Sequence, residues 1–308
     1  MISSNQQVLL PILAQKNVSL YLKREDLLHP FISGNKYRKL KYNLLAAQEG
    51  GYDTLLTFGG AYSNHIAATA FAGQENRLRT IGIIRGEELY QKWETNPTLK
   101  FAHQNGMQFK FVPRDVYRNK TDRQFLKALT SEFGSFYLLP EGGANLEAVQ
   151  GCEEILNPED ARFQVLCSCV GTGGTLAGIS NSAQAEQEVL GFPALKGDSR
   201  LPARQVLNQD IRKFAKKENW KLISGYDFGG YAKITTELVK FINSFKAETG
   251  IPLDPVYTGK MLFGIIDMVR KNRFQPGTAI LAIHSGGLQG ITGMNQKLKK
   301  KKLPLLDI

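Results

Sequence analysis

The sequence lacks any run of 18 apolar residues, and its first residues, Met1 to Val8, are polar and carry no basic stretch. We therefore predict no transmembrane helix and no secretory signal peptide. Cysteine is scarce as well, with three in 308 residues, and an odd number in a long chain does not suggest a disulfide framework. These features predict a cytoplasmic protein with no membrane partner, whose thiols are free and buried.

Motifs for several common chemistries are also missing. The four histidines form no HExxH or i,i+4 pair, and Cys167-Ser168-Cys169 lies in an apolar run without partner ligands, so we predict no metal site. A glycine-rich stretch near position 171 has no Gly-Lys-Ser/Thr after it, and Leu176 occupies the third glycine position of the dinucleotide fingerprint. The Gly-x-Ser-x-Gly elbow of serine hydrolases is absent.

Charge is present in excess of one sign: 39 basic and 28 acidic residues give a formal net charge of +11. The densest basic run, Lys297 to Lys302, has no interleaved aromatic residues on which bases could stack. We interpret this run as a solvated tail and predict no nucleic-acid partner. A non-catalytic basic binding protein stays open as the alternative from another class.

Short apolar runs alternate with segments of helical length, which predicts an α/β fold with parallel-type sheets flanked by helices. Strands are predicted over Thr54–Phe58, Arg79–Ile84, Gln108–Val112, Tyr137–Leu139, Gln164–Val170, Glu188–Phe192, Lys221–Ile223 and Ala279–His284. Helices are predicted over Asn64–Gly73, Asn96–Asn105, Asp122–Phe133, Ala144–Leu156, Leu176–Gln187, Asp210–Glu218, Ile234–Thr249 and Lys260–Lys271.

Two segments far apart in the chain carry the main chemical signal. Lys36 lies between the flexible lead-in Ser33-Gly34-Asn35 and the opening of a basic helix, where an amine can form a Schiff base if its surroundings lower its pKa. The stretch Val170 to Gly178 is typical of a strand, a glycine turn and a helix start, whose N–H groups can hold a phosphate. An imine-forming lysine and a phosphate cradle are what a pyridoxal phosphate enzyme requires.

Three further loops follow predicted strands or precede a predicted helix. Ser63 and Asn64 are suited to cap a helix and could form a second anion cradle for a substrate carboxylate. The loops at His284–Leu288 and Leu253–Lys260 are also rich in glycine or hydroxyl groups. Ligand sites of α/β proteins gather at the carboxyl ends of strands, so we expect these loops to meet.

A chain of 308 residues exceeds the usual size of one core, and we predict two domains. If Lys36 and the glycine turn share a site, residues 1–39 and 148–308 form a large cofactor-binding domain. Residues 40–147 then form a small inserted domain, with the site in the cleft between the two.

The combined motifs resemble the 1-aminocyclopropane-1-carboxylate deaminase/D-cysteine desulfhydrase family of pyridoxal phosphate enzymes. The segments that carry the resemblance are Gly34–Leu40, Ser63–His65, Val170–Thr175 and Leu253–Lys260. The resemblance implies fold type II, which is tryptophan synthase β-like, pyridoxal 5'-phosphate as cofactor, a small amino acid as substrate and a homodimer.

The resemblance also implies roles for individual residues. Lys36 would hold the cofactor covalently, and Asn64 would reach its phenolic oxygen. Its phosphate would be bound by Gly171, Thr172, Gly173, Gly174 and Thr175. The substrate carboxylate would be held by Ser63, Asn64 and His65. Tyr257 and Tyr231 match active-site tyrosines, and Thr258 stands where the family places the partner of the pyridine nitrogen.

The residue at position 258 helps to predict which of the family's two reactions the chain catalyses. The deaminases of this family place glutamate at this position and the desulfhydrases threonine, and a hydroxyl allows a neutral ring, which can suffice for β-elimination. We predict a lyase that converts D-cysteine to pyruvate, ammonia and hydrogen sulfide. The alternative is a 1-aminocyclopropane-1-carboxylate deaminase forming 2-oxobutanoate and ammonia, which would be grouped with the hydrolases.

Several departures from the family pattern leave the substrate open. Ser33 stands in place of glycine, Tyr62 in place of glutamine and Ser285 in place of threonine, and the segment from about 180 to 215 is short.

Overall fold

The computed structural model describes residues 1–195 and 203–307, which form two sheets with helices on their faces. The strands are β1 (Asn5–Val8), β2 (Ser19–Lys23), β3 (Thr54–Gly59), β4 (Arg79–Arg85), β5 (Met107–Val112), β6 (Tyr137–Leu139), β7 (Val165–Val170), β8 (Glu188–Pro193), β9 (Trp220–Leu222) and β10 (Ala279–Ile283). One sheet has the order β1-β2-β10-β7-β8-β9 and the other β5-β4-β3-β6. Every pairing is parallel except that of β1 with β2, which confirms the predicted fold class.

Twelve α-helices lie in the described ranges. They are α1 (Pro11–Gln15), α2 (Asn35–Glu49), α3 (Asn64–Glu75), α4 (Pro97–Gln104), α5 (Arg114–Arg118), α6 (Arg123–Phe133), α7 (Leu146–Glu153), α8 (Gly174–Ser182), α9 (Ala203–Arg212), α10 (Thr236–Thr249), α11 (Thr258–Arg270) and α12 (Gly290–Lys300). No helix within these ranges is long and apolar enough to cross a membrane.

All eight predicted strands are present, and each boundary falls within one residue of its predicted position. They were recognisable because most are buried on both faces and therefore appear as continuous apolar runs. Strands β1 and β2, which pair antiparallel at one edge of the larger sheet, were not predicted. β1 is polar and mostly exposed, and β2 buries only Leu20, Leu22 and Lys23, so neither forms an apolar run.

The helix predicted over Asp210–Glu218 is wrong, because α9 ends at Arg212. The backbone beyond it is bound by Asn181, whose side-chain oxygen accepts from the Lys216 N–H at 2.7 Å and whose amide donates to the Phe214 carbonyl at 3.2 Å. Tertiary hydrogen bonds thus replace helical ones. The short segment noted from about 180 to 215 lies partly outside the described residues.

Two further expectations change at helix ends. The helix predicted to reach Gln187 ends at Ser182, since the buried Gln187 amide donates to the carbonyls of Asp160 and Phe163 instead. The lysine run predicted to be a solvated tail largely belongs to α12, where Leu298 is fully buried.

The smaller sheet, built from β3 to β6, is inserted in the chain between β2 and β7 of the larger one. Apolar clusters cover both faces of the larger sheet and pack around the smaller. Helix α2 connects the two, because its Leu40 and Ala47 pack in the core of the smaller sheet while its backbone contacts α7. The division into residues 1–39 with 148–308 and 40–147 stays a prediction, and α2 runs without a break through position 39.

The crossing of α2 and α7 depends on Gly151, where a Cβ would overlap the carbonyl oxygen of Arg38. We expect Gly151→Ala to destabilise the fold by about 1–3 kcal/mol or more, because two backbones must move apart. Gly290→Ala is the matched control, since nothing lies within 4 Å of the added methyl group. Denaturant unfolding of both variants is the measurement, and equal midpoints would show that the crossing tolerates a side chain.

Candidate active site

The loops singled out in the sequence meet between the two sheets, at the carboxyl ends of the strands. Gly34 lies so close to the loop after β10 that a Cβ there would overlap the Ser285 carbonyl oxygen. A Cβ at Gly171 would lie 3.4 Å from the Tyr257 hydroxyl, and one at Gly287 3.3 Å from the Asp254 carboxyl carbon. Four segments spread over 250 residues therefore form one site, as expected for a parallel α/β protein.

The segment that precedes Lys36 is held from two sides. Gly34 has φ +62°, a conformation that favours glycine, and the Asn35 N–H donates to the Ser285 carbonyl at 3.3 Å. The Asn35 side-chain amide donates to Thr175 Oγ1 at 2.8 Å. Because Lys36 follows directly at the start of α2, these bonds fix its backbone beside the glycine turn.

The Lys36 amine has the properties of a nucleophile. The side chain is partly buried, and its Nζ lies 3.3 Å from Asn35 Oδ1. Burial, followed by the positive charge of Lys39, lowers the pKa of Lys36 to about 7. A large share of the amine is therefore neutral near pH 7 and able to attack a carbonyl carbon.

The glycine turn has the geometry of an anion site. β7 is buried along its whole length and leads into Gly171, and Gly173 adopts φ +88° before α8 begins at Gly174. The first N–H groups of a helix have no partner within the helix, so they can hold a negative group. Thr172 and Thr175 place hydroxyl groups in the same turn. The five predicted phosphate-binding residues, 171–175, therefore lie together.

Lys39 was not among the predicted site residues, although it follows Lys36 by three residues and so shares its helix face. Its buried Nζ donates to the Gly142 carbonyl at 2.8 Å and would lie 3.6 Å from a Cβ at Gly174. Burial lowers its pKa, and no carboxylate of the described residues forms an ion pair with it. A buried cation beside the glycine turn fits a phosphate group bound there.

The second predicted anion cradle lies at the start of α3. Ser63 caps this helix, and its Oγ accepts from the Ile66 N–H at 3.3 Å. Asn64 follows, partly exposed. The His65 ring is buried and its Nε2 lies 2.8 Å from Thr57 Oγ1, while burial and the charges of Lys36 and Lys39 lower its pKa well below the usual range. The imidazole is thus neutral and directed toward β3. The main-chain N–H of His65 lies in the first turn of α3, where N–H groups have no partner within the helix and can bind a ligand.

The segment before α11 is organised by Asp254, which belongs to a motif noted in the sequence but was not among the predicted site residues. Its buried carboxylate accepts from the N–H groups of Val256, Tyr257 and Thr258 at 2.7–2.9 Å. It also accepts from Thr258 Oγ1 at 2.8 Å, and Thr258 Oγ1 in turn accepts from the Asp254 N–H. The proton of the Thr258 hydroxyl is therefore committed to Asp254, and this hydroxyl can only accept a further hydrogen bond.

The two predicted tyrosines are adjacent, with ring centroids 6.3 Å apart at an angle of 63°. Tyr257 lies inside, against the glycine turn, and burial raises its pKa well above the usual value. Tyr231 lies at the rim, 44% exposed. The two tyrosines are therefore neighbours, and the Tyr257 hydroxyl keeps its proton near neutral pH.

A cavity of about 730 Å³ lies beside this site between the two sheets. Phe58, Glu141, Gly171 and Thr172 are among the residues that line it. Glu141 is held by the Tyr117 hydroxyl at 2.8 Å and by Lys120 at 3.1 Å.

Within residues 1–195 and 203–307, no group of three His, Cys, Asp or Glu side chains could hold a metal ion.

Known proteins match this chain over most of its length. The family model of the pyridoxal-phosphate dependent enzymes matches residues 5–286. A protein of Pyrococcus abyssi provisionally assigned as a 1-aminocyclopropane-1-carboxylate deaminase is 32% identical over 92% of this chain and 89% of its own length. An Arabidopsis thaliana protein, a bifunctional mitochondrial D-cysteine desulfhydrase/1-aminocyclopropane-1-carboxylate deaminase, is 30% identical over 88% of this chain and 73% of its own length.

Solved structures agree with the sequence matches. The crystal structure of a homologue of the 1-aminocyclopropane-1-carboxylate deaminases has a TM-score of 0.80 and 29% identity, and covers 97% of this chain and 94% of its own. O-ureido-L-serine synthase has a TM-score of 0.67 at 16% identity, over 94% and 90% of the two chains, and shares the fold.

The names of the Pyrococcus and Arabidopsis relatives describe deaminases and a desulfhydrase rather than a hydrolase, so the hydrolase classification is not retained.

The low pKa of Lys36 leads to a test on protein freed of cofactor. We expect adduct formation with pyridoxal, trapped by borohydride and assigned to the Lys36 peptide by mass, to rise with pH and level off above about pH 7. Exposed lysines react only as pH approaches about 10.4. Lys36→Ala should remove the adduct from this peptide, and a half-maximal rate above pH 9 would contradict the assignment.

The position of Lys39 predicts a role confined to the phosphate. We expect Lys39→Met to weaken binding of pyridoxamine 5'-phosphate by about 10-fold or more, the size of a lost charge-assisted hydrogen bond. Binding of pyridoxamine, which lacks the phosphate, should stay the same. Lys41→Met is the control, since Lys41 lies on the same helix but pairs with Glu154 at the surface. The measurement is calorimetric titration of each variant with each of the two ligands. Equal losses of affinity for both ligands in Lys39→Met would exclude this role.

Proposed function

The chain belongs to the family of pyridoxal-phosphate dependent enzymes, and from that premise we propose that it is a β-eliminating lyase whose substrate is D-cysteine. The observation that supports pyridoxal phosphate chemistry is the Lys36 amine, with its pKa of about 7, connected through Asn35 and Thr175 to the glycine turn. D-cysteine as the substrate rests on Thr258, at the position where the desulfhydrases of the family place threonine. This arrangement would supply a covalent anchor and a phosphate cradle in one place. A cytoplasmic location and a homodimer stay predictions.

The residues present fit this cofactor. Lys36 would anchor it, and residues 171–175 with Lys39 would hold its phosphate. Asn64 would face its phenolic oxygen, and Thr258 its ring nitrogen. When bound, pyridoxal phosphate supplies a carbonyl for the substrate amine and a conjugated ring that accepts the electron pair left at the substrate Cα.

The other residues would bind the substrate and move its protons. The main-chain N–H groups at the start of α3, with the Ser63 hydroxyl, would hold the substrate carboxylate. Lys36 would remove the proton from Cα, since a neutral amine near pH 7 can act as a general base. The Tyr257 or Tyr231 hydroxyl would donate a proton to the departing sulfur. D-cysteine and water would then yield pyruvate, ammonia and hydrogen sulfide, which balances all atoms.

Opening of the cyclopropane ring of 1-aminocyclopropane-1-carboxylate is the second candidate. Two observations favour it: the assignments of the relatives, and Asp254 behind Thr258. A threonine that donates to a buried carboxylate presents only an acceptor, which suits a protonated ring nitrogen rather than a neutral one. With Asp254 behind it, Thr258 is therefore weaker evidence for β-elimination over ring opening than a threonine without a carboxylate partner would be.

A product screen with purified, cofactor-loaded protein tests the proposal. With D-cysteine we expect sulfide and pyruvate in equal amounts, and from 1-aminocyclopropane-1-carboxylate little 2-oxobutanoate. Lys36→Ala should lower kcat by about 10³-fold or more, because it removes both the anchor and the base. Release of 2-oxobutanoate without sulfide would establish the second candidate, and wild-type rates in Lys36→Ala would refute both.

A further inference from the structure

The rim tyrosine, Tyr231, lies on a loop with an unusual backbone, residues 227–232, which we call the tyrosine loop. Phe228 and Ala232 have φ values of +52° and +53°, in the left-handed region that residues with a side chain rarely adopt. Gly229 and Gly230 also have positive φ. A loop of this kind persists only if its surroundings hold it in place.

The strongest external support comes from Lys260 on α11. Its Nζ donates to the Asp227 carbonyl and to the Gly230 carbonyl, each at 2.7 Å, and so bridges the turn that leads into Tyr231. The side chain is 2% exposed, and no carboxylate of the described residues forms an ion pair with it. Burial lowers its pKa to about 8, a shift that the carboxylates of Asp227 and Asp254 oppose.

Lys260 also fixes the loop relative to the second tyrosine. It lies in the first turn of α11, three residues after Tyr257, which is the N-cap residue of this helix. The same turn of helix therefore carries Tyr257 and the amine that holds the loop of Tyr231. The centroids of the two rings lie 6.3 Å apart.

We propose that Lys260 is a positioning residue that holds Tyr231 against Tyr257 by binding two carbonyls of the tyrosine loop. The inference rests on the proposed function, because it assumes that Tyr231 takes part in the elimination. Lys260 would act through Tyr231, because both of its hydrogen bonds go to carbonyls of the tyrosine loop. A second amine, Lys297 of α12, donates to the Ala232 carbonyl at 2.7 Å and would keep the loop attached at its far end when Lys260 is replaced.

A double-mutant cycle tests the proposal, with Lys260→Met, Tyr231→Phe and the double variant assayed on the substrate that the wild type turns over. We expect each single variant to lower kcat by about 10-fold or more, with KM nearly unchanged, and the double variant to be no slower than Tyr231→Phe. Lys240→Met, an exposed lysine on α10, controls for loss of a positive charge. Multiplied losses in the double variant would overturn the proposal.

Hydrogen exchange gives a readout that does not depend on activity. Amides of residues 227–232 should exchange faster in Lys260→Met than in the wild type, while those of α10 and α11 keep their protection. Unchanged exchange in the loop would overturn the inference. If Tyr231→Phe alone has the wild-type kcat, the inference fails while the elimination stands. If the wild type releases neither product, the proposed function fails instead.

Discussion

The hydrogen bond from the Asn35 amide to Thr175 joins segments 140 residues apart, and the site depends on it. It connects the residue before the reactive amine to the second residue of α8, so that amine and glycine turn lie together. Gly34 makes the approach possible, because any side chain there would collide with the loop after β10. The remaining parts of the site are arranged around this junction.

The site is formed mainly by donors. The N-terminal ends of α3 and α8 and the amines of Lys36 and Lys39 all favour negative groups. The carboxylates nearby are occupied: Asp254 by three N–H groups and a hydroxyl, and Glu25 by the Arg38 guanidinium. Glu141, in the lining of the cavity, is likewise held by Tyr117 and Lys120, so a doubly charged phosphate and a carboxylate would meet carboxylates that already have partners.

How much of this was visible in the sequence depended on how local the signal was. Buried parallel strands and the glycine turn appear as continuous patterns, so β7 and residues 171–175 were found almost to the residue. Polar edge strands, and a helix end determined by the distant Asn181, have no local signature. At the site, a lysine at a helix start was recognisable. The partners of Lys39 and Lys260 are main-chain carbonyls from other segments, which no sequence pattern identifies.

Helix α2 has a consequence for motion. Its first residues are bound to the larger sheet through Thr175 and Ser285, and its later turns pack with the smaller sheet through Leu40 and Ala47. A hinge between the two sheets would have to bend or break a continuous helix of 15 residues. Rigid-body opening is therefore opposed by the backbone that carries Lys36, and adjustment to a ligand falls to the surrounding loops.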